Sequence, residues 1–216
     1  MQPLLNVTGM VLRTEPSGEY DRRVEILTVT HGRISAFAKG ARRQTNHLMA
    51  ATDLFVFGDF KLYPGRSSYS LTDANVKNYF TELRSDYDAA LYGMYFLEAA
   101  AYNTRENNDE RQVLALLYQA LRALTHEAYE AELVKAVFEL KLVMLQGVFN
   151  RAAYGGDYDA ATLYTLDYLL ATAPEKVFSF TLKEEAFREL KGIAEREMKR
   201  LNGGHEFNSL ALIGNM

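Results

Sequence analysis

The apolar residues of this chain change their period once, near Glu82. Before that point they alternate, as residues of half-buried strands do. After it they recur every three or four residues, as on the buried face of a helix. A chain patterned this way is expected to fold as a β part followed by an α part, rather than as alternating βα units around a parallel sheet. In the first part, Val7-Thr8-Gly9-Met10-Val11-Leu12-Arg13 ends at the turn signal Glu15-Pro16-Ser17-Gly18. Val24 to Thr30 follows and reverses at His31-Gly32, and Ile34-Ser35-Ala36-Phe37-Ala38 alternates strictly. Leu54 to Tyr63 is the longest strand candidate and stops at Pro64-Gly65. Ser68 to Thr72 begins a fifth strand, with Val76 to Phe80 a further short element. Five short strands with turns about every 8–12 residues predict a small barrel or sandwich.

The second part predicts helices. Ser85-Asp86-Tyr87-Asp88 has the form of a helix N-cap, ahead of a helix over 85–104. Asn107-Asn108-Asp109 breaks it. Val113, Leu114, Leu117, Leu121 and Leu124 form a second stripe, and Leu133, Val137, Leu140, Met144 and Val148 a third. Gly155-Gly156 interrupts, a fourth helix runs from Tyr158 to Ala171 before Pro174, and a fifth from Leu182 to Leu201 ends at Asn202-Gly203-Gly204. The expected class is an α+β multidomain protein, with a β domain over residues 1–82 and an all-α helical domain over 83–216 whose helices enclose a continuous core of their own.

Composition narrows the function classes. With 48% hydrophobic and 24% charged residues among 216, the chain has enough apolar surface to offset the entropy of ordering, so a disordered protein is excluded. No stretch approaches about 18 apolar residues, so no membrane span is expected, and Met1 to Asn6 lack the basic and apolar regions of a signal peptide. Zero cysteines leave no disulfide, no zinc ribbon and no thiol nucleophile; the expected compartment is the cytoplasm. Nucleotide-loop, dinucleotide, zinc-protease and serine-hydrolase motifs are all missing. His31, His47, His126 and His205 are dispersed, while Asp157/Asp159 and Glu184/Glu185 sit where they would meet helix N-termini. No enzyme, cofactor or metal is expected.

Net charge is −4, but residues 1–82 hold 10 Lys+Arg against 8 Asp+Glu, and the acidic surplus lies in the remainder. The basic focus is Ala38-Lys39-Gly40-Ala41-Arg42-Arg43-Gln44-Thr45-Asn46: three cations at a strand end, beside a glycine that lets backbone approach a ligand, with no acid before Asp53. Such a loop suits phosphate contacts. Arg13, Arg22, Arg23, Arg33, Lys61 and Arg66 are weaker candidates for the same surface, because Glu15, Glu19, Asp21, Glu25 and Asp59 lie among them. Tyr20, Phe37, Tyr63 and Tyr69 offer faces for unpaired bases.

These residues resemble the RecO family of bacterial recombination mediators. The likeness rests on Gly9-Met10-Val11-Leu12-Arg13, Gly18-Glu19-Tyr20-Asp21-Arg22, Leu27-Thr28 and His31-Gly32-Arg33-Ile34-Ser35, and most specifically on Ala38-Lys39-Gly40-Ala41-Arg42-Arg43. Leu62-Tyr63 with Gly65-Arg66, Leu83-Arg84-Ser85-Asp86 and the closing Glu206-Phe207-Asn208-Ser209-Leu210 extend it. It covers about the first 90 residues well, and the helical part in layout and at its end. The resemblance implies an N-terminal OB-fold barrel, a C-terminal helical domain, single-stranded DNA binding, strand annealing, and partnership with RecR and the single-stranded DNA-binding protein in loading RecA during DNA repair, recombination and the damage response. It implies too that the helical domain binds the acidic, hydrophobic C-terminal tail of the single-stranded DNA-binding protein, with Arg122, Lys135, Lys141 and Arg151 as candidate cations. Many members carry a four-cysteine zinc module near the position of Asn150 to Phe180, and this chain has no zinc finger there. The competing reading is an adaptor whose acidic helical domain binds partners, with little DNA binding of its own.

Overall fold

Val24 and Ile26 flank the half-buried Glu25, and Ile34, Ala36 and Ala38 alternate with the less buried Ser35 and Phe37; the five apolar residues are each buried, so β2 and β3 present one face to a common core. The computed structural model describes residues 4–66 and 68–213. Five strands, β1 (Leu5–Ser17), β2 (Asp21–Thr28), β3 (Gly32–Ala38), β4 (Phe57–Pro64) and β5 (Tyr69–Asn78), close into a barrel in the order β1-β2-β3-β5-β4. All neighbours are antiparallel except β3 and β5. This is the OB-fold-like barrel that the resemblance implies, followed by helices. Phe60 and Leu62 of β4, Leu71 of β5 and Val7 and Val11 of β1 fill the interior.

Several boundaries differ from the sequence expectation. β1 runs on through Pro16 and pairs with β2 as far as Ser17, because the turn sits at Gly18–Tyr20. The longest strand is therefore β1, not the segment from Leu54. Leu54 and Phe55 form a turn in which Phe55 takes φ 68° with its ring buried. β5 is one strand through Asn78 rather than two elements. A four-residue helix α1 (Leu48–Ala51), too short to leave a periodic signal, places Leu48 in the barrel core.

Contacts within the chain group it into two units interleaved in sequence: residues 4–81 with 97–114, and 82–96 with 115–213 among those described. In the first, the loop after α3 (Tyr87–Asn103) covers the β2–β3 turn. Arg33 N donates to Arg105 O at 3.0 Å, Asn107 N donates to His31 O at 3.0 Å, and Arg33 Nε donates to Thr104 O at 3.3 Å. Gly32 has φ 63°, and a Cβ there would stand 1.9 Å from Arg105 O. The docking therefore requires glycine.

In the second unit, α5 (Ala131–Leu145) is buried at every position from Leu133 to Val143 and packs on α6 (Ala160–Ala171) and α7 (Glu184–Leu201). Phe138 of α5 stacks on Phe96 at 4.3 Å. The third predicted stripe stops early: Met144 is half-buried and Val148 exposed, because Gly147 turns the chain at φ 72°. The shorter elements are α2 (Thr81–Ser85), 3₁₀ turns at Arg151–Ala153 and Pro174–Lys176, and α8 (Asn208–Ile213), which the sequence reading missed. α4 (Arg111–Leu124) matches its predicted stripe. At the start of α3 the cap is Asp86, whose Oδ1 accepts from Ala89 N at 3.0 Å, rather than Ser85. Asp159 caps α6 through Ala161 N at 2.7 Å, satisfying an orphan helix donor as its position predicts. Among the described residues no helix is long and apolar enough to cross a membrane.

Candidate nucleic-acid interface

β3 delivers the chain outward at Ala38, and the loop that follows is pinned to the β1–β2 turn. Gly40, at φ 67°, donates its N–H to Asp21 Oδ1 at 2.7 Å, and Arg42 N donates to Tyr20 O at 2.9 Å. Asn46 Nδ2 returns to Lys39 O at 3.1 Å, and a Cβ on Gly40 would meet that same amide at 2.8 Å. Backbone and amides thus fix the loop, which leaves its cations out of the scaffold's ion pairing.

Lys39, Arg42 and Arg43 are exposed, and no carboxylate lies within 4.0 Å of any of them among the described residues. Arg42 donates to the carbonyls of Gly18 and Glu19, both at 3.1 Å, so its charge is oriented but not neutralised. Arg43 lies 4.4 Å over the ring of Tyr20. The Tyr20 hydroxyl is raised above its ordinary value, first by its hydrogen bond with Glu19. Lys39, Arg43 and Tyr20 line one polar recess with Ser17, Glu19, Asp21 and Asn46, and Arg42 reaches the carbonyl of Gly18 in its wall.

The weaker candidates divide. Arg22 is tied inward: it donates to Asp53 Oδ1 at 2.7 Å, Met49 O at 2.9 Å and Thr52 Oγ1 at 3.0 Å, anchoring α1. Arg33 and Arg13 share Glu25, at 2.9 and 3.9 Å. Lys61 pairs with Asp73 at 2.7 Å rather than with Asp59, which pairs with Lys77. Those lysines hold Asp73 and Asp59 below the usual carboxylate range, by hydrogen bonds first. Among the described residues Arg23 donates to the Ser35 hydroxyl, at 2.9 Å, and has no ion pair, and Arg66 is exposed and likewise without one.

The helical unit holds a cavity of about 810 Å³ lined by Tyr92, Tyr95, Met198 and Phe207, with Lys135 and Glu139 in its wall. Of the four cations singled out in this half, Lys135 alone lines it. Lys141 is buried, donates to Leu169 O near the end of α6 at 2.7 Å, and is lowered from its ordinary value by burial. Arg151 pairs with Asp167 at 2.6 Å, and Arg122 is exposed on α4. Lys191 and Lys199 line the cavity and were missed; their signal is the spacing of four that Lys191, Glu195 and Lys199 keep along α7. No group of three or more His, Asp or Glu suited to a metal occurs among the described residues.

Residues 1–80 match the family model described as recombination protein O N terminal, and residues 84–154 the one described as recombination protein O C terminal. The chain is similar to the DNA repair protein RecO of Alkaliphilus metalliredigens, 36% identical over 145 residues, and to that of Clostridium novyi, 30% identical over 156 residues. These alignments cover 67% and 72% of this chain and 59% of each relative, so the match spans about three fifths of their length. The RecO protein of Acetivibrio thermocellus is 26% identical over 227 residues, covering 90% of both chains.

Proposed function

The chain belongs to the RecO family, and on that premise we propose that it is a non-enzymatic mediator of DNA repair and homologous recombination that binds single-stranded DNA and promotes annealing. The observation that carries this reading is the pinned loop with Lys39, Arg42 and Arg43 exposed and without a counter-ion among the described residues. Two complementary strands repel each other through their phosphates. A protein face that neutralises phosphates lowers that repulsion while the bases stay free to pair. Arg23 and Arg66 extend the face, Arg13 and Arg33 contribute what Glu25 leaves, and Arg22 and Lys61 serve mainly the scaffold.

The family premise adds RecR and the single-stranded DNA-binding protein as partners in loading RecA. The cavity of the helical unit supports the latter: apolar walls with Lys199, which has no ion pair among the described residues, suit an acidic, hydrophobic tail, while Lys135 and Lys191 are already held by Glu139 and Glu132. The test is annealing of complementary oligonucleotides with and without the protein across salt. Acceleration at low salt that fades as salt rises is expected. No acceleration at any salt, with tail-peptide binding intact, would sink the mediator reading and favour the adaptor.

A further inference from the structure

Residues opposite one another in the barrel ladders form an outward row across four strands. Arg23 of β2 faces Phe37 of β3, Phe37 faces Ser70 of β5, and Ser70 faces Tyr63 of β4. Their chain neighbours Val24, Ala36, Ala38, Leu62 and Leu71 are buried, which by strand alternation sends this row to the outside. Phe37 keeps 36% of its surface exposed and Tyr63 38%. Neither ring touches another ring or a cation among the described residues. The other two aromatics of this half singled out as base platforms are already engaged: Arg43 covers Tyr20, and Tyr69 packs against the barrel core.

Large apolar rings on the solvent face of a strand would ordinarily be replaced by polar residues. Here two stand on either side of a serine too small to fill the space between them. With neighbouring strands roughly 4.8 Å apart, Phe37 and Tyr63 are about 10 Å apart, a span that admits two bases at a stacking rise of about 3.4 Å. Lys39 lies two residues beyond Phe37, about 7 Å along the strand direction, and Arg23 is its cross-strand neighbour. A base on Phe37 thus has its own phosphate within reach of two cations.

We propose that Phe37 and Tyr63 form a base-stacking subsite, a dinucleotide long, that makes the barrel read unpaired bases as well as phosphates. This rests on the single-strand-binding reading above and adds to its phosphate contacts a contact with the bases themselves.

The test compares oligo(dT) with an abasic deoxyribose-phosphate chain of equal length, which carries the same charge and no bases. Wild-type protein should bind oligo(dT) more tightly. Phe37→Leu with Tyr63→Leu keeps apolar bulk on the strands but removes the rings. It should weaken oligo(dT) binding by about 5- to 150-fold per lost stack, on the scale of base–aromatic contacts. Abasic binding and the salt slope should not change. The chain has no tryptophan, so Tyr63→Trp gives an indole whose emission reads this position alone, and it should be quenched by oligo(dT) and not by the abasic chain. Equal wild-type affinity for the two polymers, or an indole unmoved by oligo(dT) under saturating conditions, overturns the subsite and leaves phosphate binding standing. Binding to neither polymer at low salt overturns both.

Discussion

Lys39 and Lys135 carry the same ammonium group into opposite circumstances. Lys39 stands exposed at the end of a strand, with no carboxylate near it among the described residues. Lys135 is buried in α5 with its Nζ 3.0 Å from Glu139, and Tyr95 donates to that same carboxylate at 2.5 Å. The contrast extends to their surroundings. In the helical unit Tyr154 donates to Glu197 at 2.5 Å and Arg200 pairs with Glu197 at 2.6 Å, while in the barrel loop the guanidinium of Arg42 meets only carbonyls among the described residues. An exposed cation loses little by going unpaired, so it remains available to a ligand. A buried one must be compensated inside the fold, so it contributes to architecture and has little charge to offer. Net charge therefore says less about partners than the place of each charge does.

The difference can be broken by mutation, and the largest effect should come from the buried side. Lys135→Ala leaves Glu139 uncompensated, with its Oε2 already lacking a hydrogen-bond partner among the described residues. Urea unfolding should show a loss of about 3–5 kcal/mol. Replacing the pair together by Lys135→Met and Glu139→Leu should recover most of that loss. An unchanged midpoint for the single variant would mean that the pair is solvated rather than internal.

A slightly smaller effect is expected from alkali. Burial, and then the hydrogen bond to Glu197, push the Tyr154 hydroxyl up to about 12. The folded protein therefore holds a proton that the unfolded chain releases near pH 10. Stability contributed by this group is complete below pH 10 and declines as pH rises toward 12, by about 2–3 kcal/mol. Tyr154→Phe should flatten that decline in denaturation series taken between pH 9 and 12.

At the exposed loop the pattern should invert. Arg42→Ala with Arg43→Ala should move stability by less than about 0.5 kcal/mol. The same variant should flatten the salt dependence of single-strand binding by roughly 0.7 per lost phosphate contact. A stability loss as large as that of Lys135→Ala, or an unchanged slope, would erase the distinction between the regions. The smallest effect is expected from chelation. Without cysteine, and without a cluster of metal-ligating side chains among the described residues, EDTA should leave the melting temperature where it was.

How much of this was legible in the sequence follows from the range of the forces involved. Period two at Val24, Ile26, Ile34 and Ala36 is a local consequence of the pleat, and those residues are buried as read. The loop cations were legible because their isolation from acids is itself a property of consecutive residues. Arg22 was not: its partner Asp53 lies 31 residues away and meets it only once α1 is in place. The burial of the α5 charges was not legible either, because spacing alone cannot tell an exposed i,i+4 pair from an internal one. Glu139 is recognisable as internal only when Tyr95 and Phe138 are seen around it. Phe55 at positive φ, in what reads as continuous strand, is a further tertiary override.

The covering of the β2–β3 turn sets an order in time. Arg33 finds its carbonyl partner on Thr104, 71 residues downstream. At about 5–20 residues per second, a ribosome adds that stretch in roughly 4–14 seconds. Only over its last 26 residues, after Asn78, does the nascent barrel hold all five strands, and its hairpin tip still lacks the loop that Gly32 is shaped to receive. Completion of the barrel is thus tied to emergence of the helices that follow it, and slowing translation between residues 80 and 108 would lengthen the life of an uncapped intermediate.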